Sequence, residues 1–285
     1  MPEAFCLNGE VTVGSPPTVS VLDHGFLYGD GLFETMRATD GRPYLLDRHL
    51  ARLRAGAEVL TLSAPSEEEL ARWIAAALQA ADEGDAYIRL TVTRGRGAAG
   101  PDPRTCPQPT VLVVVRPFAG LPPRWSEQGL SAVTSTIRRN EHSPLSRLKT
   151  CNYLDCILAK EEARAAGTDE ALMLNTAGNV AEATAWNVFA VCGGTLLTPP
   201  PSEGLLPGIT RARVLELAAE HDVAAREAAL RPAALREASE AFLTNSLYGV
   251  VALTRLDGAA LGAGVPGPVT ARLQTLYEEA RRCPD

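Results

Sequence analysis

Lysine is nearly absent from this sequence: of its 27 basic residues, 25 are arginine and only Lys149 and Lys160 are lysine. A position that keeps lysine against this bias can need an amine that loses its proton and attacks a carbonyl group, which a guanidinium cannot do. Lys149 ends an irregular segment just before an apolar helix, whereas Lys160 lies mid-helix beside Glu161 and Glu162, as a solvated charge would. Lys149 is therefore the candidate nucleophile, with a structural ion pair as the alternative role.

The sequence also lacks long apolar runs, an excess of positive charge and an export signal. No apolar stretch reaches the roughly 18 residues that a membrane span needs, and a net charge of −7 argues against binding a phosphate backbone. Residues 1–10 have neither a basic start nor an apolar core. The six cysteines form no C-x-x-C pair and have no histidine at ligand spacing. We therefore expect a cytoplasmic enzyme with reduced thiols and no metal, nucleic-acid or membrane site.

The sequence does contain short strands mixed with amphipathic helices, which predicts an α+β fold with two domains. Strands over residues 33–38 and 43–46, joined by Asp40-Gly41, predict a β-hairpin, and Asp47 is expected to cap the helix that follows. A Gly- and Pro-rich stretch near residue 120 predicts a boundary. We expect a small N-terminal α/β domain over residues 1–119, a linker over 120–127 and a larger domain over 128–285.

Gly95, Gly97 and Gly100 spell G-x-G-x-x-G directly after a predicted strand, the pattern of a dinucleotide-binding turn. Such a turn needs a helix that begins at the third glycine, so that the helix amino terminus meets the pyrophosphate. Here Pro101-Asp102-Pro103 follows instead. The pattern therefore predicts a flexible loop and no nucleotide site.

Two further segments carry residue types suited to a charged ligand. Glu182 lies among small and apolar residues that lead into a buried strand, so its carboxylate needs a cationic partner. A glycine turn precedes a helix whose first backbone N–H groups, at Ile209 and Thr210, can hold a phosphate. Singly, these features also fit an ordinary salt bridge and an ordinary helix cap. Jointly, a reactive lysine, an acid for a ring nitrogen and a phosphate cradle are what pyridoxal 5'-phosphate requires.

Over essentially its whole length the chain resembles the fold-type IV, class IV pyridoxal-phosphate aminotransferases. The motifs that carry this resemblance are YGDGLFE at residues 28–34, HLARL at 49–53, AYIR at 86–89, RLKTCNYL at 147–154, AEATAWNVF at 181–189, LPGITR at 206–211 and FLTNS at 242–246. The resemblance implies a smaller N-terminal domain, a larger domain with a β-barrel-like core flanked by helices, and a homodimer.

The resemblance also implies roles for individual residues. Lys149 would form a Schiff base with the cofactor and move the substrate Cα proton, and Glu182 would pair with the pyridine nitrogen. Tyr153 would face the phenolic oxygen of the cofactor, although it lies one residue closer to Lys149 than in typical branched-chain enzymes. The phosphate would be bound by Arg52, Ile209, Thr210 and Ser246. The substrate would be bound by Tyr28, Phe33, Arg89 and Leu247.

The family divides into branched-chain amino-acid transaminases, D-amino-acid transaminases, R-selective amine transaminases and aminodeoxychorismate lyases. Tyr87-Ile88-Arg89 resembles the first group, in which the arginine receives a substrate carboxylate. D-selective members typically carry a histidine in the following loop, and residues 93–103 contain none. TRGRG at residues 93–97 also resembles the lyases. The expected reaction is transamination of a branched-chain or aliphatic amino acid with a 2-oxo acid such as 2-oxoglutarate or pyruvate; D-amino-acid transamination and the lyase reaction are the alternatives.

Overall fold

The computed structural model describes residues 3–82 and 84–282, and the chain divides into two compact units. The first unit covers the described residues up to Ala119 together with Leu148–Asn152. The second covers Gly120–Arg147 and the described residues from Tyr153 onward. The segment that contains Lys149 thus groups with the first unit, whereas the sequence placed it in the larger domain. The predicted domain limits themselves stay a prediction.

The described part of the first unit is an antiparallel six-stranded sheet with helices, in the strand order β2-β1-β6-β5-β3-β4. Its elements are β1 (Ala4–Leu7), β2 (Glu10–Val13), α1 (His24–Tyr28), β3 (Gly31–Thr39), β4 (Arg42–Pro43), α2 (Leu46–Leu60), α3 (Glu67–Ala81), β5 (Ala86–Thr93) and β6 (Thr110–Pro117).

Apolar periodicity explains how helices α2 and α3 join this sheet. Leu70 and Ile74 lie on one buried face of α3, and every second residue of β5, including Ile88 and Leu90, belongs to the same apolar core. Ser66 caps α3 by accepting a hydrogen bond from the backbone N–H of Glu69. Each fully buried leucine or isoleucine contributes about 1.5–3 kcal/mol to folding, which fixes the helices against the sheet.

The hairpin prediction is confirmed, but the prediction for the segment after it is wrong. Asp40 and Gly41 both adopt positive φ, as a two-residue hairpin turn requires. β4 then contains only Arg42 and Pro43, and α2 begins at Leu46 with Leu45 as its N-cap. Asp47 lies in the first helical turn and is not the cap. The helix begins early because Leu46 packs against the apolar core.

The described part of the second unit has a nine-stranded mixed sheet, in the order β12-β11-β10-β13-β14-β7-β8-β9 with β15 beside β14. Its strands are β7 (Leu130–Arg139), β8 (Glu170–Asn175), β9 (Val180–Ala183), β10 (Asn187–Cys192), β11 (Thr195–Thr198), β12 (Ala225–Glu227), β13 (Glu240–Asn245), β14 (Gly249–Leu256) and β15 (Ala259–Ala260). Its helices are α4 (Pro123–Gln128), α5 (Leu154–Ala165), α6 (Ile209–Glu220), α7 (Pro232–Arg236) and α8 (Pro268–Arg282).

The sheet of the second unit curls back on itself. The last strand of the order, β9, is followed directly by β10, and Ala183 and Trp186 form an isolated antiparallel bridge across the tight turn between them. The strands β10, β13, β14, β7, β8 and β9 form a curled half-barrel, and Leu172, Val188 and Leu243 from these strands share one apolar core. This half-barrel agrees with the expected barrel-like core and the α+β class. The segment predicted as a linker contains most of helix α4.

Two further features of the described residues concern the cysteine thiols and the membrane spans considered in the sequence analysis. Their five cysteines are all free thiols, and Cys283 lies outside the described residues. None of the helices in residues 3–82 and 84–282 has the length and apolar character that a membrane span requires.

Candidate active site

The segment that carries Lys149 lies along the first residues of β3. The backbone N–H of Phe33 donates to the carbonyl of Lys149 at 2.9 Å, and that of Cys151 donates to the carbonyl of Gly31 at 2.9 Å. Leu32 and Thr150 form an antiparallel bridge between these two hydrogen bonds. The Lys149 Nζ lies 4.5 Å from the centre of the Phe33 ring, a cation–π distance. An irregular segment thereby holds a lysine amine against a defined surface.

Lys160, the other lysine, has a structural role in the second unit. Its Nζ donates to the backbone carbonyl of Asp169 at 2.6 Å and lies 3.3 Å from a carboxylate oxygen of Glu170. Glu170 is almost fully buried, and it accepts a further hydrogen bond from Thr184. These contacts give Lys160 a structural role, because a buried carboxylate needs a cation.

Arg52 lies on α2 and binds Glu34 of β3 with two nitrogens. Its Nε is 2.8 Å from Oε1 of Glu34 and its Nη2 is 2.6 Å from Oε2. Oε2 also accepts from His49 Nδ1 at 2.6 Å, so Nδ1 carries the proton. Burial alone raises the pKa of Glu34, but the charge of Arg52 and the hydrogen bonds from Arg52 and His49 outweigh it and lower that pKa to about 2. Burial lowers the pKa of His49, with Glu34 acting in the opposite direction, and the nearby charge of Lys149 lowers it further.

Arg89 of β5 also contacts the Phe33 ring. Its guanidinium carbon is 3.8 Å from the ring centre, and its Nε donates to the hydroxyl of Thr91 at 3.3 Å. Three predicted site residues of the first unit, Lys149, Phe33 and Arg89, are thus brought together around one aromatic ring. The positive end of Arg89 is fixed by packing, which suits it to receive a carboxylate.

Tyr28 is partly exposed and holds the glycine-rich loop. Its hydroxyl accepts from the backbone N–H of Gly100 at 2.7 Å. His24 of the same helix donates from Nε2 to the carbonyl of Ala98, and its backbone N–H donates to the carbonyl of Gly95, both at 2.9 Å. The loop expected to be flexible is therefore tied to α1, and the residues after Gly100 form a short 3₁₀ turn, with no α-helix to receive a pyrophosphate.

Glu182 of β9 lies in the second unit with the cationic partner that its burial demands. Its Oε1 is 3.1 Å from Nε of Arg139, and its Oε2 accepts from the backbone N–H of Leu206 at 3.0 Å. Arg139 ends β7 and donates to the carbonyl of Ser146 at 3.0 Å. Sequence reasoning called for a cation near Glu182 but did not find Arg139, because only the pairing of β7, β8 and β9 brings the two together.

The turn before α6 is built tightly around Gly208. The Nδ2 of Asn187 donates to the carbonyl of Leu206 at 2.9 Å, and a Cβ added to Gly208 would lie 1.8 Å from Oδ1 of Asn187. Gly208 is the N-cap of α6 and makes no side-chain cap hydrogen bond, so the helix begins with the amides of Ile209 and Thr210. Such an end suits an anion.

Ser246 and Leu247 lie in the turn between β13 and β14, and both are half-buried. The side-chain oxygen of Asn245 fixes this turn by accepting from the backbone N–H groups of Leu247 and Tyr248, at 3.1 and 2.9 Å. Among the described residues, the hydroxyl of Thr244 beside this turn is buried without a hydrogen-bond partner.

Two more predicted residues have their surroundings defined within the second unit. Tyr153 precedes α5 and packs against the buried cluster that includes Cys156 and Met173. The hydroxyl of Thr210 lies 3.1 Å from that of Tyr277 of α8, so its side chain is committed to packing and its backbone N–H is the group suited to a ligand.

Comparison with known proteins is consistent with this arrangement. The family model for class IV amino-transferases matches residues 31–256. A putative branched-chain-amino-acid aminotransferase of Methanocaldococcus jannaschii is 39% identical over 96% of this chain and 95% of its own. The aminodeoxychorismate lyase of Bacillus subtilis is 33% identical over 96% of this chain and 93% of its own. A solved T.th. branched-chain amino acid aminotransferase with pyridoxamine 5'-phosphate is 30% identical, with a TM-score of 0.94 over 100% of this chain and 96% of its own.

These matches confirm the family resemblance, the fold type and the expectation of an enzyme with pyridoxal 5'-phosphate as its cofactor. The chain belongs to the class IV aminotransferase family.

Proposed function

We propose that this enzyme transfers the amino group of a branched-chain or other aliphatic amino acid to a 2-oxo acid such as 2-oxoglutarate or pyruvate, using pyridoxal 5'-phosphate. The observation that carries the proposal is the position of Lys149. Its amine is held over the Phe33 ring, whereas the amine of Lys160 is used in packing. The similarity to branched-chain aminotransferases supports the choice of substrate.

The residues present fit this cofactor by the chemistry of their donors. The tight turn at Gly208, the partly exposed Arg52 side chain and the partnerless Thr244 hydroxyl are features that a phosphate-bearing polar ligand would use. When bound, pyridoxal phosphate supplies an electron sink that makes the substrate Cα proton removable. Lys149 would hold its aldehyde carbon, Glu182 its ring nitrogen and Tyr153 its phenolic oxygen. The phosphate would be bound by Arg52, the amides of Ile209 and Thr210, and Ser246.

The chain's own residues would then direct the movement of protons. The Lys149 amine, once displaced by substrate, is the base that takes the proton from the substrate Cα. Glu182 keeps a proton on the ring nitrogen, because an ionised carboxylate favours the protonated partner. Arg139 and the backbone N–H of Leu206 each hold one oxygen of Glu182 and so fix the direction of its carboxylate.

The substrate roles rest on Arg89 and its neighbours. Its guanidinium is fixed between Phe33 and Thr91, and it would receive the distal carboxylate of glutamate or 2-oxoglutarate. The apolar region of Phe33 and Leu32 would receive an aliphatic side chain, and Tyr28 would border the substrate with a ring held by Gly100. Leu247 is also proposed to contact the substrate. One pocket would thus accept both substrate classes in turn.

The lyase reaction is the second candidate, favoured by the similarity to an aminodeoxychorismate lyase and by the TRGRG loop. A panel of amino donors and oxo acceptors with chiral product analysis separates the candidates, run beside an assay for pyruvate release from aminodeoxychorismate. We expect activity with L-leucine, L-isoleucine or L-valine and 2-oxoglutarate. Activity confined to D-alanine and D-glutamate would select the D-amino-acid alternative, and pyruvate release without any oxo acid would select the lyase.

We further propose that the enzyme acts as a homodimer. Large apolar side chains are exposed on the single chain, in the segment around α1 and along α5, among them Phe26 and Leu154. Exposed apolar surface of this kind is typical of a protein interface. Light scattering coupled to size-exclusion chromatography tests the proposal, and a monomeric mass contradicts it. The cytoplasmic location stays a prediction.

A further inference from the structure

Glu34 is an anion that the proposed chemistry leaves without a role. It is fully buried, and both of its oxygens are engaged by Arg52. A two-point guanidinium–carboxylate contact fixes the plane of the guanidinium as well as its position. Glu34 therefore determines where the Arg52 head group lies and which way its remaining edge faces.

His49 adds a second constraint on the same carboxylate. It lies three residues before Arg52 on α2, so both side chains leave the same face of the helix. Its Nδ1 is 2.6 Å from Oε2 of Glu34, and its side chain is as buried as that of Glu34. The carboxylate thus joins α2 to β3 through two residues of one helical turn.

Stability alone does not account for this polar cluster. A buried ion pair loses much of its attraction to the cost of removing both charges from water, and an apolar replacement of similar volume is often no less stable. Arg52, in contrast, is not fully buried: 15% of its side chain is exposed, whereas the side chain of Glu34 is 0% exposed. The carboxylate engages Nε and Nη2 of the guanidinium, and part of the Arg52 side chain stays exposed.

We infer that Glu34 and His49 are positioning residues that hold Arg52 in the orientation in which it binds the cofactor phosphate. The inference rests on the proposed function, because it assumes that Arg52 is a phosphate ligand. Neither residue contacts substrate or the reacting atoms in this role. Their effect is on the affinity for a phosphate-bearing ligand, transmitted through Arg52.

The test compares two ligands that differ only in the phosphate. Pyridoxal 5'-phosphate and pyridoxal are titrated by absorbance into the full-length protein freed of cofactor, for the wild type and Glu34→Gln. The amide of glutamine has a donor in place of one of the two carboxylate oxygens, so Arg52 loses one of its two contacts and the guanidinium loses its fixed plane. We expect the dissociation constant for pyridoxal 5'-phosphate to rise about tenfold or more, as for the loss of a hydrogen bond to a charged group, and that for pyridoxal to stay within about twofold.

The control is Glu34→Gln combined with Arg52→Ala in one double variant. With the guanidinium absent, Glu34→Gln should have almost no further effect on the affinity for pyridoxal 5'-phosphate, since coupled residues are not additive. Equal losses in both backgrounds, equal losses for both ligands, or tighter binding of pyridoxal 5'-phosphate by Glu34→Gln would each overturn the inference.

Two variants at His49 test the same inference if Glu34→Gln does not fold. His49→Gln retains a donor toward Glu34 and should keep most of the phosphate preference, whereas His49→Leu should lose it. Indistinguishable affinities for these two variants would exclude His49 from the role. A wild-type protein that binds no pyridoxal 5'-phosphate would instead contradict the proposed function.

Discussion

The two units of the chain differ in the kind of group that they offer to a ligand. The first offers charged side chains on sheet and helix: Lys149, Arg89 and Arg52, with Glu34 as a buried counter-charge. The second offers one carboxylate, Glu182, and otherwise backbone amides and hydroxyls at turns and at a helix end. A charged side chain can be proposed as a ligand-binding group from its residue type alone. A backbone amide can be proposed as one only when the geometry of its turn or helix end is known.

The units also balance their charges in different ways. Glu34 is surrounded by donors from α2, so a short stretch of helix neutralises it. Glu182 is neutralised by Arg139 from a different strand and by a loop amide. A substitution at Arg52 or Arg89 should therefore change the binding of a ligand, and one at Glu182 should change the rate at which a bound ligand reacts.

The largest expected effect is that of Lys149→Ala, which removes the reactive amine of the first unit. We expect turnover to fall by at least about a thousandfold, because the base at the substrate Cα is lost. Borohydride reduction of the wild-type enzyme followed by peptide mass analysis should place the label on Lys149. Lys160→Arg is the matched control: an arginine can still donate to Asp169, so the rate should stay close to wild type. A label on Lys160, or normal turnover by Lys149→Ala, would assign the chemistry elsewhere.

The second prediction concerns Glu182→Gln, which tests the carboxylate of the second unit. The variant is expected to retain the cofactor but to transaminate about a hundredfold more slowly, since an amide cannot keep the ring proton through a charge-assisted bond. Single-turnover kinetics separate this loss from binding. Glu161→Gln, on the exposed face of α5 in an ion pair with Arg164, should not change the rate. Unchanged turnover in Glu182→Gln would remove the proposed role.

Arg89→Leu should discriminate between substrates. The half-reaction with glutamate is expected to weaken by about 1.5–3 kcal/mol, or roughly 10- to 150-fold in kcat/KM, relative to the half-reaction with leucine. The reason is that only glutamate has a distal carboxylate for the guanidinium. Arg116→Leu, at a half-exposed position of β6, serves as the control. Equal losses for both substrates would mean that Arg89 only supports the sheet.

The candidate site shows which features can be predicted from sequence. Lys149 stands out because lysine is scarce, and Glu182 because a carboxylate among apolar residues needs a partner. The partners themselves were not found. Arg139 resembles any other arginine until strand pairing brings it to Glu182, and Glu34 lies between Phe33 and Thr35 with no local sign of Arg52. Contacts between elements distant in sequence carry no local pattern.

The fold shows the same limit. The Asp40-Gly41 hairpin was predictable because its turn chemistry lies in two adjacent residues. The start of α2 was not, since packing of Leu46 against the core overrides the cap preference of Asp47. The curled sheet of the second unit depends on the pairing of strands that are distant in sequence, such as β14 with β7, and no local pattern predicts that pairing.

The smallest expected effect is on acid stability, and it compares a buried acid of the first unit with a surface acid of the second. Glu34 has its pKa lowered from 4.5 to about 2, so its ionised form favours the folded state; that stabilisation is complete above about pH 4.5 and is lost as pH falls toward 2. The melting temperature of Glu34→Gln should therefore lie furthest below wild type near neutral pH, by roughly 2–4 °C for each kcal/mol lost, and approach it on acidification. The pKa of Glu141 is lowered to about 2 mainly by its own backbone N–H and by Thr176, but this carboxylate is partly exposed, so Glu141→Gln should change the melting temperature far less. If the melting temperatures of Glu34→Gln and wild type differ by the same amount from pH 7 to pH 3, the Glu34 charge does not stabilise the first unit.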